Sequence, residues 1–254
     1  MPAIFADITT LQWLALVGAA LLIGVNKTAM PGIGILPVVM LAIVFDDAQL
    51  STGLQLGMLA ATDIMAVIYF RRHADWKILV RLLPWAFVGI AVGAGILQLI
   101  PKDDKRDATK IVIGALVLFL LALGEVKKRL RPEAIPAGGW FAAFFGILMG
   151  STTQLANAAG PVSAIYFLSM KLPKEKYMGT TAWCFLILNW VKVPIFAFEG
   201  RITAQSLLLD ALMIPVLVLG AALGILLFKR MNQKAFELVV KVLAAAAALK
   251  LLVG

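Results

Sequence analysis

Long apolar runs decide most of what this chain can become. Ser51 to Phe70 carries a single charge, Asp63, and comparable runs cover Leu11 to Val25, Ile78 to Ile100, Lys110 to Glu125, Met178 to Phe198, Leu207 to Phe228 and Ala235 to Val253. About 20 apolar residues cross a bilayer as a helix. The runs are continuous and lack the alternation of barrel strands, so helices are predicted. With 62% hydrophobic residues, 15% charged and a mean hydropathy of +0.96, the composition is that of a membrane protein rather than a soluble domain. The net charge of +9 comes mostly from short loops, which suits anionic lipid and topology setting and argues against nucleic-acid binding. The single cysteine, Cys184, excludes an internal disulfide and a cysteine metal cluster. MPAIFADITTLQW has neither a basic n-region nor a small-residue cleavage site and does not read as a cleavable signal peptide.

Two stretches interrupt the apolar pattern. GVNKTAMPGIGILP, Gly24 to Pro37, holds Asn26, Lys27 and Thr28; GSTTQLANAAGP, Gly150 to Pro161, holds Ser151, Thr152, Thr153, Gln154 and Asn157. Such backbone survives at membrane depth only where it is buried in protein or lines a cavity. Each break is followed by a short apolar arm, Ile35 to Phe45 and Val162 to Met170. At 1.5 Å per residue either arm reaches roughly 15 Å, half of a ~30 Å core. Each break therefore reads as a hairpin whose tip approaches the midplane.

The halves repeat. Gly24 and Gly34 map onto Gly150 and Gly160 at one offset, which also places Gly53 on Gly179 and Asp63 on Asn189; Pro84, Gly89 and Gly93 recur as Pro215, Gly220 and Gly224 with the same spacing. The predicted fold is an all-α polytopic membrane protein of two repeats, residues 1–131 and 132–254, each a broken-helix hairpin followed by three transmembrane helices. KKRLRPEAIP is the candidate link between them. RRHADWK is basic while its counterpart around Glu199 and Arg201 is not, and acidic DDAQL corresponds to KLPKEKY with its three lysines. Corresponding loops thus fall on opposite sides by the positive-inside rule, meaning inverted repeats. PKDDKRDATK fits that topology poorly, and the rival is eight simple spans in parallel repeats.

If the tips meet, the helices starting after Gly34 and Gly160 aim their N-termini at a shared space, where free N–H groups favour anions. Lys27 adds a charge; Asn26, Thr28, Thr152, Thr153, Gln154 and Asn157 add hydrogen-bonding groups; Gly32, Gly34 and Gly160 permit close backbone approach. The chemistry fits a small oxyanion. Neither break holds a carboxylate cluster or a His/Cys set, so no metal site is expected. Asp63, Asn189 and Lys192 are candidates for coupling or gating. Asp63 is placed to take a proton, to pair with Lys27 or Lys192, or to orient a neighbour, and Lys192 either shares the face of Asn189 or snorkels to the interface. Glycines 89, 93, 220 and 224 read as close-packing positions, and Trp13, Trp76, Trp85 and Trp140 as interfacial anchors. His73, in a basic loop, is expected to be solvated, and Cys184 to fill space.

The two glycine-rich segments GVNKTAMPGIGILPVVML and GILMGSTTQLANAAGPVSAIYFL, with RRHADWKILVRLLPWAFVGIAVG, resemble the sulfite exporter TauE/SafE family of bacterial membrane proteins over about Leu11 to Val253. PGIG and NAAG stand where the family commonly has three consecutive glycines. The resemblance implies transport of a small sulfur-containing anion (sulfite, a sulfonate or thiosulfate), a multi-pass location in the bacterial inner membrane, and a substrate region at Asn26 to Gly34 and Thr152 to Pro161. The expected function is a secondary carrier working by alternating access, with an anion channel as the alternative. No G-x4-G-K-[ST] motif supplies ATP energy, no cofactor is implied, protons are a candidate coupling ion, and a homo-oligomer is compatible with the sequence. An enzyme is not expected, since no nucleophile–base pair is visible.

Overall fold

The structure, a computed structural model, describes residues 8–29, 34–45, 48–99, 139–240 and 242. Gly32, the Lys110 to Glu125 span, the PKDDKRDATK and KKRLRPEAIP loops, and most of the Ala235 to Val253 span lie outside the described residues. The described chain is helical: α1 Thr10–Thr28, α2 Ile35–Val44, α3 Ala48–Phe70, a 3₁₀ turn Arg71–His73, α4 Trp76–Leu99, α5 Gly139–Ala156, α6 Gly160–Ser169, α7 Lys174–Phe198 and α8 Ala204–Arg230, with further helical residues at 233–240. Five of these stretches are long and apolar enough to cross a membrane: Thr10–Thr28, Ser51–His73, Trp76–Leu99, Lys174–Phe198 and Ala204–Arg230. Leu207, Leu212, Leu219 and Leu226 of α8 are exposed, a face suited to lipid. Trp76 and Trp140 are exposed at helix starts, whereas Trp85 lies well inside α4 rather than near a span end.

Local chemistry explains the helix ends. Thr9 caps α1 reciprocally with Gln12, and Thr203 caps α8 reciprocally with Ser206, satisfying N–H groups that a helix start leaves orphaned. At the end of α1, Thr28 turns its hydroxyl back to the Gly24 carbonyl and across to that of Ala221, both at 3.0 Å. α5 stops at Asn157, whose φ of 53° is a left-handed conformation that asparagine tolerates better than most residues. The arms α2 and α6 are both 10 residues long, the half-membrane length expected. α6 begins two residues before the predicted Val162, because Gly160 and Pro161 fit its first turn, where proline's missing N–H costs nothing.

The frame is set by two helix crossings with matching contacts. α1 packs on α8, and α4 on α5. A Cβ on Gly24 would lie 2.6 Å from both the Leu217 oxygen and the Ala221 nitrogen; a Cβ on Gly150 would lie 2.0 Å from the Ala86 oxygen and 2.7 Å from the Ile90 nitrogen. The opposing glycines behave alike: Gly220 would strike the Leu21 oxygen at 2.4 Å and Gly89 the Ile147 oxygen at 2.2 Å. In lipid, apolar burial gives helices no drive to associate, so backbone proximity allowed by small residues carries the packing. A third contact joins α3 and α7. Gly53, near the start of α3, abuts Arg201 just past α7, and Gly179, near the start of α7, abuts His73 just past α3. The two helices therefore run antiparallel.

These crossings yield a stability prediction. Gly150→Val has no room and should lose more than the about 1–3 kcal/mol typical of overpacking, whereas Gly95→Ala, whose Cβ meets nothing within 4 Å, should be neutral or gain up to about 1 kcal/mol of helix propensity. Thermal unfolding in detergent, followed by fluorescence, checks both.

Candidate functional site

The two breaks and the antiparallel pair enclose a cavity. α1 and its break contribute Asn26, Lys27 and Gly34; the second break contributes Thr153, Asn157 and Gly160; α7 contributes Thr181, Phe185 and Asn189. Counting only the space open to the centre of a water-sized sphere, its volume is ≈ 40 Å³. One water needs roughly 10–15 Å³ on that measure, so the cavity admits a few waters or one small ion.

Charge is arranged in layers around it. Lys27 Nζ lies 2.6 Å from Asp63 Oδ1 and sits over the Phe185 ring, 4.4 Å from its centroid. Asp63 is fully buried behind that wall, and its Oδ2 accepts a 2.6 Å hydrogen bond from Asn189 Nδ2. An acid of α3 and an amide of α7 thus meet. Lys192, three residues past Asn189 on α7, is fully buried rather than snorkelling. It donates to the Thr153 carbonyl at 3.0 Å, to Thr153 Oγ1 at 2.8 Å and to Asn157 Oδ1 at 2.7 Å. Three neutral acceptors match the three N–H bonds of an ammonium group. None of those bonds goes to a carboxylate, so two lysine side chains, Lys27 and Lys192, stand at the cavity beside the single carboxylate of Asp63.

The breaks are held open by their own polar groups. Asn26 Oδ1 accepts from the Gly34 N–H at 3.0 Å, tying the start of α2 to the end of α1. Asn157 Nδ2 donates to the Thr52 carbonyl of α3 at 3.0 Å, so one side chain binds α7 and α3 together. Further out, Glu199 pairs with Arg201 at 2.9 Å and accepts from Gln154 Nε2 at 3.3 Å. This polar clamp joins the second break to the loop after α7.

The predicted site residues therefore divide. Asn26, Lys27, Gly34, Thr153, Asn157, Gly160 and Asn189 line the cavity; Asp63 and Lys192 stand directly behind the lining. Thr28 faces α8, Thr152 bonds the Met149 carbonyl at 3.0 Å, and Gln154 faces Glu199. Gly32 falls outside the described residues. Thr181, Ser163 and Phe185 line the cavity without having been singled out in the sequence. Thr181 Oγ1 and Asn189 Oδ1 are buried with no hydrogen-bond partner, which leaves a hydroxyl and an amide oxygen for an occupant. Thr181, Phe185 and Asn189 are spaced by four along α7, one face of a helix, and that spacing was the available signal.

The sequence profile of the sulfite exporter TauE/SafE family matches residues 16–251. A curated relative, the probable sulfite/organosulfonate exporter TauE of Cupriavidus necator, is 20% identical over 155 residues, covering 60% of this chain and 59% of that protein. The match thus spans well under two thirds of the relative's length. No solved structure matches.

Removing one member of the buried Lys27–Asp63 pair strands the other, which typically costs about 3–5 kcal/mol. Lys27→Met is therefore expected to lower the unfolding temperature sharply, and Lys27→Met/Asp63→Asn to recover most of the loss. A double-mutant cycle of detergent unfolding midpoints measures the coupling.

Proposed function

Because the chain belongs to the sulfite exporter TauE/SafE family, we propose that it is a secondary carrier that moves a small sulfur-containing anion across the membrane through the cavity between its two breaks. The observation that carries this reading is the placing of two lysine side chains, Lys27 and Lys192, with the single carboxylate of Asp63 at that cavity. The start of α6 at Gly160 and the residue preceding α2, Gly34, also line it, so two helix N-termini add their partial positive charge. A small oxyanion such as sulfite, or its singly charged protonated form hydrogensulfite, suits two lysines and two helix starts. Substrate contacts fall to Asn26, Lys27, Gly34, Thr153, Asn157 and Gly160, with Thr181 and Asn189 supplying polar atoms that have no partner of their own.

Transport then proceeds by alternating access. Residues 1–131 and 132–254 act as inverted repeats, a reading supported by the antiparallel run of the equivalent helices α3 and α7 and by the matched glycine crossings of α1 with α8 and α5 with α4. Each 10-residue arm gates the site from one side. Glu199, Arg201 and Gln154 close the clamp next to the second break.

Proteoliposomes loaded with sulfite, a taurine-like sulfonate, sulfate or chloride test this reading. Saturable flux is expected for one sulfur anion. Lys192→Met should reduce it by at least about 30-fold, the equivalent of the roughly 2 kcal/mol lost when one member of a buried charged contact is truncated. Undiminished flux in Lys192→Met would place the site elsewhere, and single-channel currents would replace the carrier with a pore.

A further inference from the structure

Asp210 is a second carboxylate buried in the membrane-spanning part of the molecule, and its surroundings differ from those of Asp63. It lies on α8 with 8% of its surface exposed. Neither carboxylate oxygen has a hydrogen-bond partner among the described residues. One oxygen is pressed against the backbone of α3 where Gly57 leaves room for it: a Cβ at Gly57 would come within 1.8 Å of Asp210 Oδ2. The ionisable groups on the packed elements are otherwise committed. Lys27 of α1 and Asp63 of α3 bind each other, and Glu199 and Arg201 in the loop before α8 bind each other. On α8 itself, Lys229 and Arg230 lie about five turns further along. An ionised carboxylate with neither cation nor donor costs several kcal/mol in such a setting, far more than the neutral acid.

We propose that Asp210 is the proton-carrying site of this protein: it holds a proton while α8 lies against Gly57, and gives it up to water when those helices part. Asp63, fixed by Lys27 and Asn189, stays ionised as part of the anion site. Position supports the assignment. Asp210 sits six residues into α8, about 9 Å from its start, and Gly57 lies six residues, again about 9 Å, before Asp63 on α3. The acid thus stands between one helix end and the anion site, and any rocking of α8 on α3 changes its exposure. One proton bound and released there per cycle couples the movement to a pH gradient. This last step rests on the carrier reading above; the protonation state does not.

Dicyclohexylcarbodiimide, which attacks protonated carboxyl groups in apolar surroundings, tests the protonation state on the intact protein in vesicles at neutral pH, read by peptide mass spectrometry. Asp210 is expected to be labelled at least about tenfold faster than Asp63, the ratio that one unit of difference in proton affinity produces. Equal labelling, or labelling of Asp63 alone, overturns the assignment. In proteoliposomes, Asp210→Asn is expected to keep sulfite counterflow while losing the acceleration that a pH gradient gives the unaltered protein. A variant that still responds to the gradient, or an unaltered protein that never does, overturns the coupling role. Absence of any sulfur-anion flux would instead sink the carrier reading and leave the labelling result standing.

Discussion

Charges in hydrocarbon must be answered from within the protein, and in this molecule the answer is a chain of contacts that crosses both halves. Lys27 from the first break meets Asp63 in α3, Asp63 meets Asn189 in α7, and Lys192, less than one turn past Asn189, reaches Thr153 and Asn157 in the second break. Each link brings together elements that have no apolar reason to associate in lipid. Two lysines beside one carboxylate also suit the anion proposed to bind there. The groups that pin the two breaks near each other are thus groups that line the cavity or stand directly behind it.

The helix crossings supply what this chain of polar contacts cannot, namely distance. Gly24 against Leu217 and Ala221, and Gly150 against Ala86 and Ile90, allow the backbones to touch, so close helix packing sets α1 and α5 while the polar contacts pin the breaks at their ends. Asn157 carries both functions: its left-handed backbone ends α5, while its amide bridges Lys192 and the Thr52 carbonyl.

Much of this was legible in the sequence, and the reasons are local. Glycine, proline and polar side chains inside apolar runs announce breaks wherever they occur, so the breaks and the arm lengths could be anticipated from spacing, and pairing with Lys27 stood among the open alternatives for Asp63. Which way each polar residue of a break would point could not. Thr28 and Thr153 are equally polar, but one hydroxyl is taken by Ala221 and the other by Lys192, a choice made by neighbouring helices that are distant in sequence. Lys192 had equal claims to the interface until Thr153 and Asn157 appeared beside it. Asp210 attracted no notice because a lone acid near a helix start resembles an interfacial residue; its isolation becomes evident only once Gly57 is seen beneath it.

The central claim is the position of the anion. Selenite has the charge and pyramidal shape of sulfite, and its selenium scatters anomalously, so a crystal of the protein soaked in selenite would locate the ion without reference to its oxygens. A single peak is expected in the cavity between Lys27 and Gly160, within hydrogen-bonding reach of Asn157 or Thr181. A peak on the basic Arg71–His73 turn or in any other place, with the cavity empty, would contradict the account.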